Sequence, residues 1–139
     1  MRLTYDVPGD DFTRAGEASG DVKKKMKKLG FPSNIVRRVA IALYEGEINM
    51  VIHANGGKIT VDISSSEIDL VLADTGPGIP DVEKAMQDGW STASAEVRNL
   101  GFGAGMGLPN MKNNSDEFEI ETEVGVGTTV RMKIYTRRP

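Results

Sequence analysis

The chain has no cysteine, one histidine and one tryptophan in 139 residues. Without thiols there is no disulfide framework and no thiolate chemistry. A lone histidine leaves no ligand set for a structural zinc ion. Both features are compatible with a cytoplasmic protein. No apolar run reaches the roughly 18–20 residues that a membrane-spanning helix needs. The opening MRLTYDVPGDD lacks the apolar core of a secretory signal. A membrane partner is therefore not expected. Basic charge is also scarce: 17 Lys and Arg stand against 20 Asp and Glu, for a net charge of −3. That argues against nucleic acid as a partner, because a polyanion needs a basic footprint. The length suits one sizeable core, and 39% hydrophobic with 27% charged residues is ordinary for a soluble globular chain. Glycine is in excess, with 16 residues against an average of about 7%, and the glycines cluster.

The apolar pattern orders the chain into elements. Arg2–Val7 alternates loosely, as an edge strand does. Phe12, Ala15, Val22, Met26 and Leu29 recur at helical spacing, which predicts a helix from Asp11 as N-cap to Leu29, with Gly30 at the C′ position. Five lysines between positions 23 and 28 read as a solvated face near a helix C-terminus or as a docking patch. A second helix is expected from Pro32-Ser33-Asn34 to about Ala54, ended by Asn55-Gly56-Gly57. Lys58–Ile63 and Ile68–Ala73 form a hairpin signal around Ser64-Ser65-Ser66-Glu67. A turn at Asp74–Pro80 and a short helix at Asp81–Gln87 follow. Positions 88–107 have weak periodicity and read as a long mobile loop, which at that length is usually functional. Leu108–Asn113 reads as a short helix with Pro109 in its first turn. Phe118–Thr122 and Thr128–Tyr135 read as strands around Gly125-Val126-Gly127.

Four segments carry chemistry. In ALYEGEINMVIHA, Glu45 and Asn49 are four residues apart and share one helix face. They read either as a satisfied buried pair or as a base beside a metal ligand. Glutamate suits a general base, and an amide oxygen suits Mg²⁺; Glu47 points away from the pair. In IDLVLADTGPGIP, Asp74 stands where an apolar strand stops, and Gly76 and Gly78 bracket Pro77. This is either a tight turn or a site where an acceptor-only carboxylate receives an exocyclic amine. In GFGAGMGLPNMK, Gly101, Gly103, Gly105 and Gly107 alternate and run into a helix. That is either a flexible loop or an anion cradle. No Gly-Lys-Ser/Thr follows, so it is not a Walker A loop. In GVGTTVRMKIY, Thr128 opens the last strand.

Taken in order, E-x-x-x-N on a helix, D-x-G-x-G, a lid, G-x-G-x-G into a helix, and G-T-T resemble the GHKL ATPase superfamily over roughly residues 35–135. That superfamily includes gyrase-type and mismatch-repair ATPases, histidine kinases, and serine kinases that act as anti-sigma factors. The resemblance implies an α/β Bergerat fold: a two-layer sandwich of a mixed β-sheet with helices on one face. It implies one ATPase domain over 1–139 with a mobile ATP lid around 88–107. No transducer domain or phosphoacceptor hairpin is expected, and His53 is expected in a packed or adjacent-loop role rather than as a phosphoacceptor. DGWSTAS and GLPNMKNNSDEFEIETEVGVGTTVRMKIY resemble the anti-sigma factor and switch-kinase branch.

The branch implies a cytoplasmic, homodimeric protein serine/threonine kinase using ATP and Mg²⁺. Its implied substrate is a STAS-domain antagonist, with a sigma factor as a further partner. The alternative function is a nucleotide-dependent binding module that captures a regulator without phosphotransfer. Carried over by position, Glu45 is the catalytic base and Asn49 holds Mg²⁺. Asp74 takes adenine N6, helped by Gly78 and by the hydroxyl of Thr128. Gly103, Gly105 and Gly107 cradle the phosphates, and Gly76, Ile79, Met106 and Leu108 are further nucleotide-binding positions. One position departs from the branch: the arginine that often precedes the glycine box is replaced by Gly103 and Ala104, with Arg98 upstream as a substitute.

Overall fold

The computed structural model describes residues 1–9, 14–53, 56–76, 78, 86 and 107–136. The elements in chain order are β1 (Arg2–Pro8), α1 (Glu17–Lys28), α2 (Ser33–His53), β2 (Gly56–Ile63), β3 (Glu67–Asp74), α3 (Gly107–Asn113), β4 (Glu117–Glu123) and β5 (Gly127–Tyr135). The five strands form one sheet in the order β1-β2-β3-β5-β4. The expected short helix at Asp81–Gln87 and the lid from 88 to 106 lie outside the described residues.

Alternation within the strands sets the layers. Ile59, Val61 and Ile63 of β2, Ile68, Leu70 and Leu72 of β3, and Val130, Met132 and Ile134 of β5 are buried, while their neighbours are not. One face of the sheet therefore meets the core and the other meets water. Val22 and Met26 of α1, and Val39, Leu43 and Val51 of α2, close that core from the helix side. Each fully buried Leu or Ile contributes about 1.5–3 kcal/mol. The two-layer α/β arrangement with helices on one face follows. The expected mixed sheet is corrected: every pairing among the described residues is antiparallel. The reason lies in the connections. Two helices, not one crossover helix, separate β1 from β2, and β2 starts opposite the end of β1, with Pro8 facing Gly56. β2–β3 and β4–β5 are hairpins, and β5 returns antiparallel to β3, between β3 and β4.

Helix α1 begins later than the apolar spacing predicts. Glu17 opens it, and its N-cap is Gly16 in a left-handed conformation with no side-chain cap of its own. The cap comes from α2. Glu47 is 2% exposed and receives the backbone N–H of Ala18 on Oε2 and of Ser19 on Oε1, both at 3.1 Å. A carboxylate satisfies the orphan donors of a helix N-terminus and complements its dipole. The other end agrees with expectation. Gly30 has φ 84°, its N–H bonds Lys27 O, and the Phe31 N–H bonds Met26 O, a Schellman turn.

Further contacts fix α2 over the sheet. A Cβ at Gly46 would come within 2.2 Å of Leu72 Cδ2 and 3.3 Å of Met111 Sδ. Only glycine lets α2 lie this close to β3 and α3. The guanidinium of Arg38 donates to both oxygens of Asp116 at 3.2 and 3.3 Å, tying α2 to the entry of β4. No helix among the described residues is long and apolar enough to cross a membrane.

Candidate active site

The site lies on the helix side of the sheet, at the end where β3 stops and β5 starts. The register puts Gly57 opposite Asp74, and a Cβ at Gly57 would come within 2.7 Å of both Asp74 Cα and Met50 Cε. The last turns of α2 therefore cover that end of the sheet. Asp74, at the last position of β3, points to the helix side in step with Leu70 and Leu72.

Asp74 Oδ1 accepts two backbone N–H groups, from Thr128 at 3.0 Å and from Gly76 at 3.1 Å. Oδ2 accepts none among the described residues. Burial pushes the Asp74 carboxyl up, against the two N–H bonds, which favour its charged form. The result is a half-buried acceptor with one oxygen engaged and one left over. Thr128 is buried, and its hydroxyl lies 2.9 Å from that of Thr122 across the strand pair. Two glycines are sterically required here. At Gly127 a Cβ would come within 2.2 Å of Asp74 O, and at Gly78, which has φ 78°, within 2.6 Å of Glu123 O. Gly76 is buried beneath this turn.

The second half of the site is the seam between α2 and α3. Glu45 and Asn49 are both part-buried on the α2 face that meets α3. Asn110 Nδ2 donates to Glu45 Oε1 at 3.2 Å. Gly107 lies against the Asn49 amide, where a Cβ would come within 2.9 Å of both Nδ2 and Oδ1. The last glycine of the box thus has a reason in packing. Leu108 is 7% exposed and belongs to the core.

The structure therefore groups Asp74, Gly76, Gly78 and Thr128 at the sheet end, and Glu45, Asn49 and Gly107 along the helix seam. The Gly46–Leu72 contact connects the two, because Leu72 lies two residues before Asp74 and Gly46 follows Glu45. Ile79, Gly103, Gly105, Met106 and Arg98 lie outside the described residues, as does the side chain of His53. Sequence reasoning missed Asn110, Thr122 and the capping role of Glu47. Asn110 had a signal: it lies three residues after Gly107 and so shares its helix face.

These residues fit a nucleotide and a hard metal ion. A part-buried carboxylate oxygen with no partner among the described residues suits the exocyclic amine of adenine. Asn49 offers one amide oxygen, in keeping with Mg²⁺, which takes few protein ligands and completes its shell with phosphates and water.

Comparison with known proteins gives the family. A family model described as a histidine kinase-like ATPase domain matches residues 12–134. The serine/threonine-protein kinase RsbT of Bacillus subtilis is 34% identical over 109 residues, covering 76% of this chain and 76% of the relative. An anti-sigma F factor of Caldanaerobacter subterraneus is 39% identical over 105 residues, covering 72% of this chain and 70% of the relative. The crystal structure of the RsbU and RsbW domains of Rv1364c from Mycobacterium tuberculosis superposes with a TM-score of 0.65 at 14% identity. That match covers 100% of this chain and 33% of the other, and at such identity it shows the fold alone. The mycobacterial sensor histidine kinase MprB matches with a TM-score of 0.54 at 16% identity and covers 97% of each chain. The family is a kinase-like ATPase, its relatives include a named serine/threonine kinase, and the chain belongs to the histidine kinase-like ATPase domain family.

Proposed function

We propose that the chain is an ATP-dependent protein serine/threonine kinase acting as an anti-sigma factor or switch kinase, and that it phosphorylates a hydroxyl on a STAS-domain antagonist. The observation that carries this reading is the Glu45–Asn49 pair on the α2 face that meets α3, together with a half-buried Asp74 whose Oδ2 has no hydrogen-bond partner among the described residues. Bound Mg-ATP would supply the transferable phosphoryl group and the charge neutralisation that such transfer needs. Asp74 Oδ2 receives the adenine amine, and Thr128, Gly76, Gly78 and Ile79 shape that end. Gly103, Gly105, Met106, Gly107 and Leu108 form the phosphate side. Asn49 holds Mg²⁺ through its amide oxygen. Glu45 would take the proton of the serine or threonine hydroxyl as that oxygen bonds the γ-phosphorus of ATP and the bond to the β,γ-bridging oxygen breaks, releasing ADP. The protein works in the cytoplasm as a homodimer, with a sigma factor as a second partner.

Incubation with labelled ATP, Mg²⁺ and the STAS-domain protein encoded nearby tests this. Label on the STAS protein with the wild type and none with Glu45→Gln, at unchanged ATP affinity, is the expected result. A wild type that transfers no label overturns the kinase reading.

One observation favours a second reading, a nucleotide-dependent binding module without phosphotransfer. The positions just before the glycine box are Gly103 and Ala104 rather than arginine, and some relatives are named anti-sigma F factors. Partner capture that needs ATP but proceeds without turnover would select it.

A further inference from the structure

Asn110 belongs to neither the adenine side nor the phosphate side, yet it touches the proposed base. Its Nδ2 donates to Glu45 Oε1 at 3.2 Å across 65 positions of sequence. The contact is held from both sides. Gly107 abuts Asn49, and Met111, 1% exposed, packs by Gly46. Gly107, Asn110 and Met111 are spaced i, i+3, i+4, so one face of α3 meets α2. The rotation of α3 is set by its packing, and the direction of the Asn110 amide with it.

An amide donor on one carboxylate oxygen restricts rotation of the whole group. Oε2 of Glu45 accepts no hydrogen bond among the described residues. A base in phosphoryl transfer contributes mainly by being in place, because little covalent chemistry is asked of the protein. Asn110 is also carried by the helix that begins at the last glycine of the box, so the clamp on the base and the phosphate side share one element.

We propose that Asn110 is a positioning residue for Glu45, holding the carboxylate by Oε1 so that Oε2 is left for the hydroxyl proton of the protein substrate. This rests on the reading of Glu45 as the base. It adds a polar clamp from α3 to the pair on α2.

The test uses the full chain with labelled ATP, Mg²⁺ and the neighbouring STAS-domain protein, comparing Asn110→Ala, Asn110→Asp and Glu45→Gln. Asn110→Ala is expected to lower kcat about tenfold or more, with KM for ATP, ADP affinity by calorimetry and Tm little changed. Asn110→Asp sets a second carboxylate against Glu45, and two like charges resist ionising together. The acid limb of its kcat–pH profile therefore moves to higher pH, which a merely structural role would not cause. Asn110→Ala combined with Glu45→Gln should be no worse than Glu45→Gln alone, since both act through one group. Wild-type kcat in Asn110→Ala, with an unmoved acid limb in Asn110→Asp, overturns the proposal while leaving Glu45 in its role if Glu45→Gln is inactive. Full activity in Glu45→Gln, or no transfer by the wild type, removes the base reading and this proposal with it.

Discussion

Glu47, in the middle of α2, receives the backbone N–H of Ser19 at 3.1 Å and so caps a helix 28 positions earlier in the chain. Its other oxygen does the same for Ala18. Glu47→Ala removes a buried acceptor from two amides and leaves both unsatisfied. Each such loss costs about 1–3 kcal/mol, so urea unfolding should show a destabilisation of about 3 kcal/mol. Amide exchange at Ala18 and Ser19 should accelerate most. An unchanged midpoint would show that water replaces the carboxylate without cost.

Gly46 sets the distance between α2 and β3. Gly46→Ala gains about 1 kcal/mol of helix propensity but drives a methyl to within 2.2 Å of Leu72 Cδ2. Overpacking of this kind costs about 1–3 kcal/mol. The clash wins in a core where Leu72 is 3% exposed, and a net loss of about 1 kcal/mol is expected. Gly46→Val should lose more, and nucleotide affinity should fall with it, because α2 carries Glu45 and Asn49. Tm and ATP calorimetry on both variants check this.

Asp74→Asn keeps an acceptor for the Thr128 and Gly76 amides but replaces Oδ2 by a donor. Stability should change little, while affinity for ATP falls about 30-fold or more, the worth of about 2 kcal/mol for a charge-assisted bond turned repulsive. Burial raises the carboxyl of the wild type, so it protonates at higher pH than an ordinary aspartate. Binding by the ionised form is then lost sooner on acidification. ATP titrations at falling pH should show a drop in the wild type that Asp74→Asn lacks.

Asp69 on the open face of the sheet is pushed up to about 6, by burial first and then by its neighbour Glu67. The folded chain therefore holds a proton that the unfolded chain has released. Stability from this group is full below the ordinary aspartate range and is lost as pH rises through about 6. Asp69→Asn should raise Tm at pH 7.5 and lose that advantage near pH 4. Solvent keeps the gain below about 1 kcal/mol. A variant less stable than wild type at pH 7.5 would contradict the sign.

What could be read from the sequence was local. Period-2 alternation marked β2 and β3, helical spacing marked α2, and the i, i+4 relation put Glu45 and Asn49 on one face. Asp74 was conspicuous as a carboxylate at the end of an apolar run. What escaped depended on distant partners. Asp11 lies outside the described residues, and α1 starts after Gly16 with its first amides held by Glu47 from another helix. No local pattern says that β5 enters between β3 and β4, or that every pairing is antiparallel. Asn110 meets Glu45 only because Gly107 and Met111 dock α3 on α2.

The strand order has a consequence for synthesis. β3 is finished at Asp74, yet its neighbour β5 lies 54 positions further along at Thr128. Until that strand is made, β3 has an open edge, Leu70 and Leu72 lack their cover, and Asp74 lacks one of its two amides. A chain stopped before Gly127 would carry Glu45, Asn49, Asp74 and the whole glycine box and still lack Thr128, whose amide holds Asp74. If Asp74 receives the adenine as proposed, nucleotide capture by a growing polypeptide waits for the last strand and reports that the sheet is complete.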